Sequence, residues 1–114
     1  ISESFESRVN DQFITRKLDL VRVKGKSEPV TLYELVAEKG SLNDEKMKLL
    51  DEFSRGVESY LNRDFQGCID LLSHYQEQRG SKDKAAMQLI ERSEEYLQSP
   101  PPEHWDGVFT RTHK

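Results

Sequence analysis

The stretch from Leu18 to Glu34 reads LDLVRVKGKSEPVTLYE, and it decides the fold of the first third of the chain. Two apolar runs rich in strand-forming residues flank a short polar centre. Gly25 permits a positive φ, and Pro29 fits where no backbone N–H is needed, so the polar centre predicts a turn. The two runs therefore predict a β-hairpin.

The strands of this hairpin extend beyond the quoted stretch. Apolar residues between Phe13 and Val23 are interrupted by charged ones, which is typical of a half-buried strand, and we expect a bend near Asp19. The second run begins at Val30 and continues through Leu35. Before the hairpin, ISESFESRV predicts a short helix with Ser2 as its cap and acidic residues in its first turn.

The period of the apolar residues becomes helical after a polar boundary at residues 37–41. We expect one helix to begin at Asn43 or Asp44, a second to run from Asp64 to about Gln78, and a third to run from Lys82 to Leu97. Their predicted inward-facing residues share spacings of three or four: Met47, Leu50, Phe53, Val57, Tyr60, Phe65, Cys68, Ile69, Leu72, Tyr75, Ala86, Leu89, Ile90, Ser93 and Leu97.

The C-terminal tail combines prolines with large apolar side chains. The run Ser99–Pro102 cannot be helical and favours an extended segment. We expect Trp105 to dock on the helices of the same chain, with Asp106 bonding local backbone and Gly107 taking an unusual φ. The alternative is an exposed tryptophan that awaits a partner domain.

The composition limits the classes of function. The chain has 114 residues, of which 34% are hydrophobic and 33% charged, so it can form only a thin core. Its net charge of −4 disfavours nonspecific binding to nucleic acid or to an anionic membrane surface. A bilayer-spanning helix needs about 20 apolar residues, and no run approaches that length. The N-terminal sequence also lacks the pattern of a signal peptide.

Few residues offer metal-binding or acid–base chemistry. Cys68 lies in an apolar helical pattern, so a buried thiol is expected rather than a reactive one. The histidines at 74, 104 and 113 have no zinc-ligand spacing, and we expect no structural metal. His74 and His104 lack a recognisable catalytic partner in the sequence and are interpreted as structural or exposed. The acids Asp11, Asp19 and Glu28 are interpreted as surface charges.

Residues 1–37 resemble the last elements of a class III nucleotidyl cyclase catalytic domain, the adenylate and guanylate cyclase family. The resemblance rests on ISESFESRV followed by FITRKLDLVRVKGKSEPVTLYEL. After a linker at 38–42, residues 43–114 resemble the helical C-terminal extension of many bacterial members. That extension is similar to a tetratricopeptide helix pair, with the third helix and the tryptophan tail as its cap. The similarity rests on the small and aromatic positions of such a repeat, near which fall Gly56, Tyr60, Phe65, Cys68 and Leu72. The resemblance implies an α+β fold.

The family resemblance also implies the chemistry of a larger parent protein. Such a parent converts ATP to cyclic AMP and pyrophosphate with Mg²⁺ or Mn²⁺. The family's two metal-binding aspartates, base-selecting residues and transition-state asparagine and arginine would lie upstream of Ile1. The first lysine of VKGK, Lys24, would reach the triphosphate, whereas the alternative leaves Lys24 and Lys26 as solvated turn residues. We therefore expect a C-terminal fragment that is inactive alone and holds neither catalytic residues nor metal ligands.

The resemblance further implies the partners and the location of the fragment. Its partners would be the remainder of the catalytic domain and, through the parent, a second subunit of a homodimer. The location would be cytoplasmic, with any membrane anchor of the parent in its N-terminal part. A different class of function stays open, in which residues 41–114 form a noncatalytic helical module that binds another protein.

Overall fold

A computed structural model describes residues 3–10, 12–23 and 29–111 of the chain. The fold is α+β, as the sequence predicts. The elements follow in the order α1 (Glu3–Val9), β1 (Phe13–Val23), β2 (Val30–Glu38), α2 (Asp44–Leu61), α3 (Phe65–Arg79), α4 (Lys84–Gln98) and β3 (Phe109–Arg111). No helix among the described residues is both long and apolar enough to span a bilayer.

The chain forms two compact units. The sheet unit comprises Ile1–Asn43 and Val108–Lys114, and the helical unit comprises Asp44–Gly107. The assignment of residues 1–37 to a cyclase domain and of residues 43–114 to a helical extension stays a prediction.

The sheet unit contains three strands in the order β2-β1-β3. Strands β1 and β2 pair antiparallel, which confirms the predicted hairpin. Their register shifts between Lys17 and Asp19, so the predicted bend is a β-bulge or similar irregularity. Strand β3 pairs with β1 in parallel, a pairing that the sequence did not predict.

Side-chain bonds hold the hairpin and the helix before it. Arg16 faces Glu34 across the two strands, with Nε 3.1 Å from Oε1 and Nη2 3.3 Å from Oε2. This two-bond geometry aligns a planar guanidinium with a carboxylate and favours one register. Thr15 donates its hydroxyl to Glu6 Oε2 at 2.7 Å and so ties β1 to α1.

The core of the helical unit lies where α2, α3 and α4 pack together. Gly56 allows α2 to approach α3 closely, because a Cβ at this position would come within 2.7 Å of Leu72 Cγ. The largest of the fully buried side chains are Tyr60, Phe53, Leu72, Leu89, Cys68 and Ser93.

Capping residues explain where α3 and α4 begin and end. Asp64 accepts a hydrogen bond from the Gly67 backbone N–H, and Asp83 accepts one from the Ala85 N–H. Gly80 ends α3 in the left-handed conformation, with φ of 79°.

Two predicted inward-facing positions are wrong, since Met47 and Leu97 lie near the ends of their helices and are exposed.

Candidate functional site

The predicted phosphate-binding turn lies between two described strands. Lys24, Lys26 and Glu28 themselves fall outside the described residues, as does Asp11. Among the described residues that flank positions 24–28, Val21 of β1 pairs with Val30 of β2 in antiparallel register. The role of Lys24 at a triphosphate stays a prediction.

The first strand of this hairpin contains a buried acidic residue. Asp19 lies at the register shift, where its Oδ1 accepts a hydrogen bond from the Leu20 N–H at 2.9 Å. It is only 7% exposed, so its interpretation as a surface charge is wrong. Residues 16 and 19 would point to opposite faces of a regular strand, but the bulge interrupts that alternation and both are buried. The sequence pattern could not show that both residues are buried, because assigning side chains to alternating faces requires an uninterrupted strand.

The tail residue Trp105 packs on the helical unit. Its ring centroid lies 5.5 Å from that of Tyr60, 5.7 Å from that of Phe65 and 5.3 Å from that of Tyr96. These are tilted or edge-to-face arrangements, which aromatic pairs prefer. The predicted docking of Trp105 within the same chain is confirmed. Gly107 has a φ of 86°, which confirms the unusual φ predicted for it.

Arg63 binds the proline segment that leads to this tryptophan. Its Nη1 donates to the Pro102 carbonyl at 2.7 Å and its Nη2 donates to the Pro101 carbonyl at 2.9 Å. Its guanidinium also lies 5.9 Å from the Trp105 ring centroid. Arg63 has a φ of 67°, unusual for a residue with a Cβ, which marks the turn between α2 and α3. The sequence did not predict this contact with the tail.

A pocket of about 310 Å³ lies along α2 and α3 and is a candidate binding site. Within it, His74 Nδ1 lies 2.6 Å from Glu52 Oε2. The Glu52 side chain is 14% exposed, whereas that of His74 is 57% exposed. Sequence reasoning assigned His74 no partner, because Glu52 is 22 residues away on another helix. The pocket is lined by charged and polar side chains and one leucine: Glu45, Lys48, Leu49, Asp51, Glu52, Arg55, His74 and Gln78.

The side chains that line this pocket carry charges of both signs. Arg55 pairs with Asp51 one helical turn away, at 3.2 Å, so cations and carboxylates alternate along its wall. The lining residues include no serine, threonine or cysteine nucleophile. Within the described parts of the chain, no group of three or more His, Cys, Asp or Glu residues is placed to hold a metal ion.

Cys68 is a free thiol in the core of the helical unit, as predicted. Burial raises the pKa of Cys68, and the charge of Asp64 raises it further, while the nearby Ser93 hydroxyl acts in the opposite direction. The thiol therefore stays protonated and unreactive at neutral pH.

Comparison with known proteins gives one partial similarity. The chain is 36% identical over 67 residues to a curated protein of Dictyostelium discoideum, "Adenylate cyclase, terminal-differentiation specific". The match covers 58% of this chain and 3% of that relative's length. No protein-family model matches the chain, and no solved structure matches it. The similarity indicates a cyclase-related region.

Proposed function

We propose that this chain is the C-terminal part of a class III adenylate cyclase of bacterial type. In this proposal, residues 1–37 are the end of the catalytic domain and residues 43–114 are its tetratricopeptide-like extension. The similarity to the Dictyostelium adenylate cyclase carries the proposal, because it links this sequence to a protein named for that activity. The antiparallel pairing of β1 with β2 is compatible with it.

The parent would join the 3′-hydroxyl of ATP to its α-phosphorus and release pyrophosphate. Charge on the departing pyrophosphate is best stabilised by metal ions and cationic side chains. Lys24 is the residue proposed to bind the triphosphate in the homodimeric parent. The Arg16–Glu34 pair would act indirectly, by maintaining the register of the strands that carry this turn.

Mg²⁺ or Mn²⁺ would supply electrostatic stabilisation in the parent. The described residues of this chain do not fit a metal centre, since no three potential ligands come together among them. The proposal therefore assigns the metal ligands to the remainder of the catalytic domain.

The first test compares the chain with its full-length parent. With ATP and Mn²⁺, we expect cyclic AMP from the parent and none from the 114-residue chain. In the parent, Lys24→Ala should lower kcat by about tenfold to a hundredfold. The matched control is Lys39→Ala, which removes an exposed lysine beyond β2 and should leave activity unchanged. Activity from the isolated chain, or an equal effect of both substitutions, would contradict the assigned roles.

A second candidate function is a noncatalytic module that binds another protein. The pocket along α2 and α3 favours it, since its wall of alternating charges and one leucine suits a polar peptide surface. Titration of the full chain against the cyclase catalytic domain should yield a stoichiometric complex. Arg55→Glu should weaken that complex if the partner occupies the pocket. Absence of heat and of co-elution on a sizing column would count against the module.

A further inference from the structure

Helix α4 presents an apolar stripe on its outer side. Met87 is 41% exposed, Leu97 is 48% exposed, and Ile90 between them is half-buried. These residues stand at positions i, i+3 and i+10, so they follow one side of the helix over about 15 Å. Exposed Glu94 occupies the intervening i+7 position. We call these four residues the α4 face.

The surroundings of the α4 face are acidic. Glu91 and Glu95 are exposed beside Glu94, whereas Arg92 is only 6% exposed. The helical unit as a whole has 14 acidic and 8 basic residues. A partner that covers this face must bury apolar side chains and also compensate a concentration of carboxylates.

We propose that the α4 face binds a basic amphipathic helix of a partner protein. Such a helix offers apolar side chains at the same spacing as Met87, Ile90 and Leu97, with a lysine or arginine opposite Glu94. The Glu94 carboxylate would be costly to bury without an opposite charge. It therefore selects a partner that carries a cation and fixes the register in which the two helices pack. Exposed methionine also adapts to differently shaped side chains. The inference rests on the proposed interaction function of the helical unit and gives its partner a chemical class.

Charge disfavours the other occupants of this face. A second copy packed face to face would bring the Glu91, Glu94 and Glu95 side chains of both chains together, and like charges repel. Nucleic acid and anionic lipid would be repelled for the same reason. A cationic helix is the partner that satisfies both the apolar and the acidic part of the surface.

The test uses two designed helical peptides with the same leucine stripe at i, i+3, i+7 and i+10. One carries lysines and the other glutamates at the flanking positions. We expect the full chain to bind the lysine peptide at least about tenfold more tightly than the glutamate peptide in fluorescence anisotropy. Glu94→Lys should weaken binding of the lysine peptide by about tenfold or more, and Met87→Ser with Leu97→Ser should weaken both peptides.

Glu77→Lys is the matched control, because it makes the same charge change at an exposed position of α3. It should reduce binding of the lysine peptide by less than about threefold, because it acts only through the long-range electrostatic potential of the chain. Equal binding of the two peptides would overturn the proposal, and so would equal effects of Glu94→Lys and Glu77→Lys. Concentration-dependent dimerisation of the chain that the Met87/Leu97 variant abolishes would also overturn it. Equal binding of the two peptides, with binding of the cyclase domain retained, would refute the α4 face and leave the proposed module standing.

Discussion

Individual residues explain how closely the helices approach one another. Position 56 requires a glycine, because the Leu72 side chain occupies the space that a Cβ atom there would need. Asp83 shows a different kind of constraint. One of its oxygens caps α4, and the other accepts a hydrogen bond from the Tyr75 hydroxyl at 2.9 Å. The N-cap of α4 is therefore also part of the packing between α3 and α4.

Cys68 provides a prediction at this scale. Its pKa is raised by burial in the folded chain above the ordinary value of 9.0, so the unfolded chain loses the thiol proton first. The stability associated with the protonated thiol is complete below pH 9 and is lost as the pH rises toward the folded value. We expect the free energy of unfolding to fall with a slope of up to about 1.4 kcal/mol per pH unit.

Urea denaturation from pH 7 to 10.5 measures this slope, with Cys68→Ala as the comparison. The alanine variant should be less stable at pH 7 by about 1–2 kcal/mol because of the cavity. Its decline above pH 9 should be shallower, since lysine and tyrosine titration is common to both chains. Parallel declines in the two chains would show that the thiol does not ionise differently on folding.

At the scale of elements, the tail between α4 and β3 behaves as part of the helical core. The rings of Tyr60, Phe65, Tyr96 and Trp105 form one cluster. Arg63 fixes the extended backbone on the way to it through two carbonyls. A segment without regular hydrogen bonds is thus ordered by ring packing and by one guanidinium.

Removing the anchor of this tail should destabilise the helical unit. Trp105→Ala is expected to lower its free energy of unfolding by about 2–3 kcal/mol, because a half-buried indole loses its ring contacts. Arg63→Lys should cost about 1 kcal/mol, since an ammonium group cannot reproduce the fork of two hydrogen bonds. Chemical denaturation followed by helical circular dichroism measures both.

Trp105→Phe is the control for this prediction. It retains a ring in the cluster and should lose less stability than Trp105→Ala. Limited proteolysis gives a second readout, since an undocked tail should be cleaved after α4 in the alanine variant first. An unchanged denaturation midpoint in Trp105→Ala would show that the tail contributes nothing to the folded helical unit.

At the scale of the whole molecule, the two units differ in the apolar material that each buries. Among the described side chains, Val21 and Val108 are the buried hydrophobic residues of the sheet unit. The helical unit buries nine: Phe53, Val57, Tyr60, Phe65, Cys68, Leu72, Tyr75, Ala86 and Leu89. Burial of apolar surface is the main favourable contribution to folding, so the free energies of unfolding of the sheet unit and the helical unit should differ.

Native-state hydrogen exchange tests this difference. We expect the amides of β1 and β2 to exchange at least about tenfold faster than the interior amides of α2, α3 and α4, because a thin core opens at lower free energy. In the proposed parent, the remainder of the catalytic domain should slow exchange in β1 and β2. Equal protection of strands and helices in the isolated chain would contradict the prediction.

The local sequence was a good guide wherever short-range chemistry controls the backbone. The turn around Gly25 predicted the hairpin, and Asp64 and Gly80 stand at opposite ends of α3. Periodicity failed at Asp19, where a bulge changes the side-chain alternation. It also failed at Leu97, which the helical period assigned to an inward face although the residue is 48% exposed near the end of α4.

The sequence by itself determined the α+β class, the hairpin strands β1 and β2, the helices and the buried thiol, because turns, caps and apolar periods act over a few residues. Only the tertiary structure decided the β1–β3 pairing, the Glu52–His74 contact and the bonds from Arg63 to the proline segment. These features join residues that are far apart in the chain. Contacts between such residues depend on how the helices and strands pack, and a pattern in the local sequence carries no information about that packing.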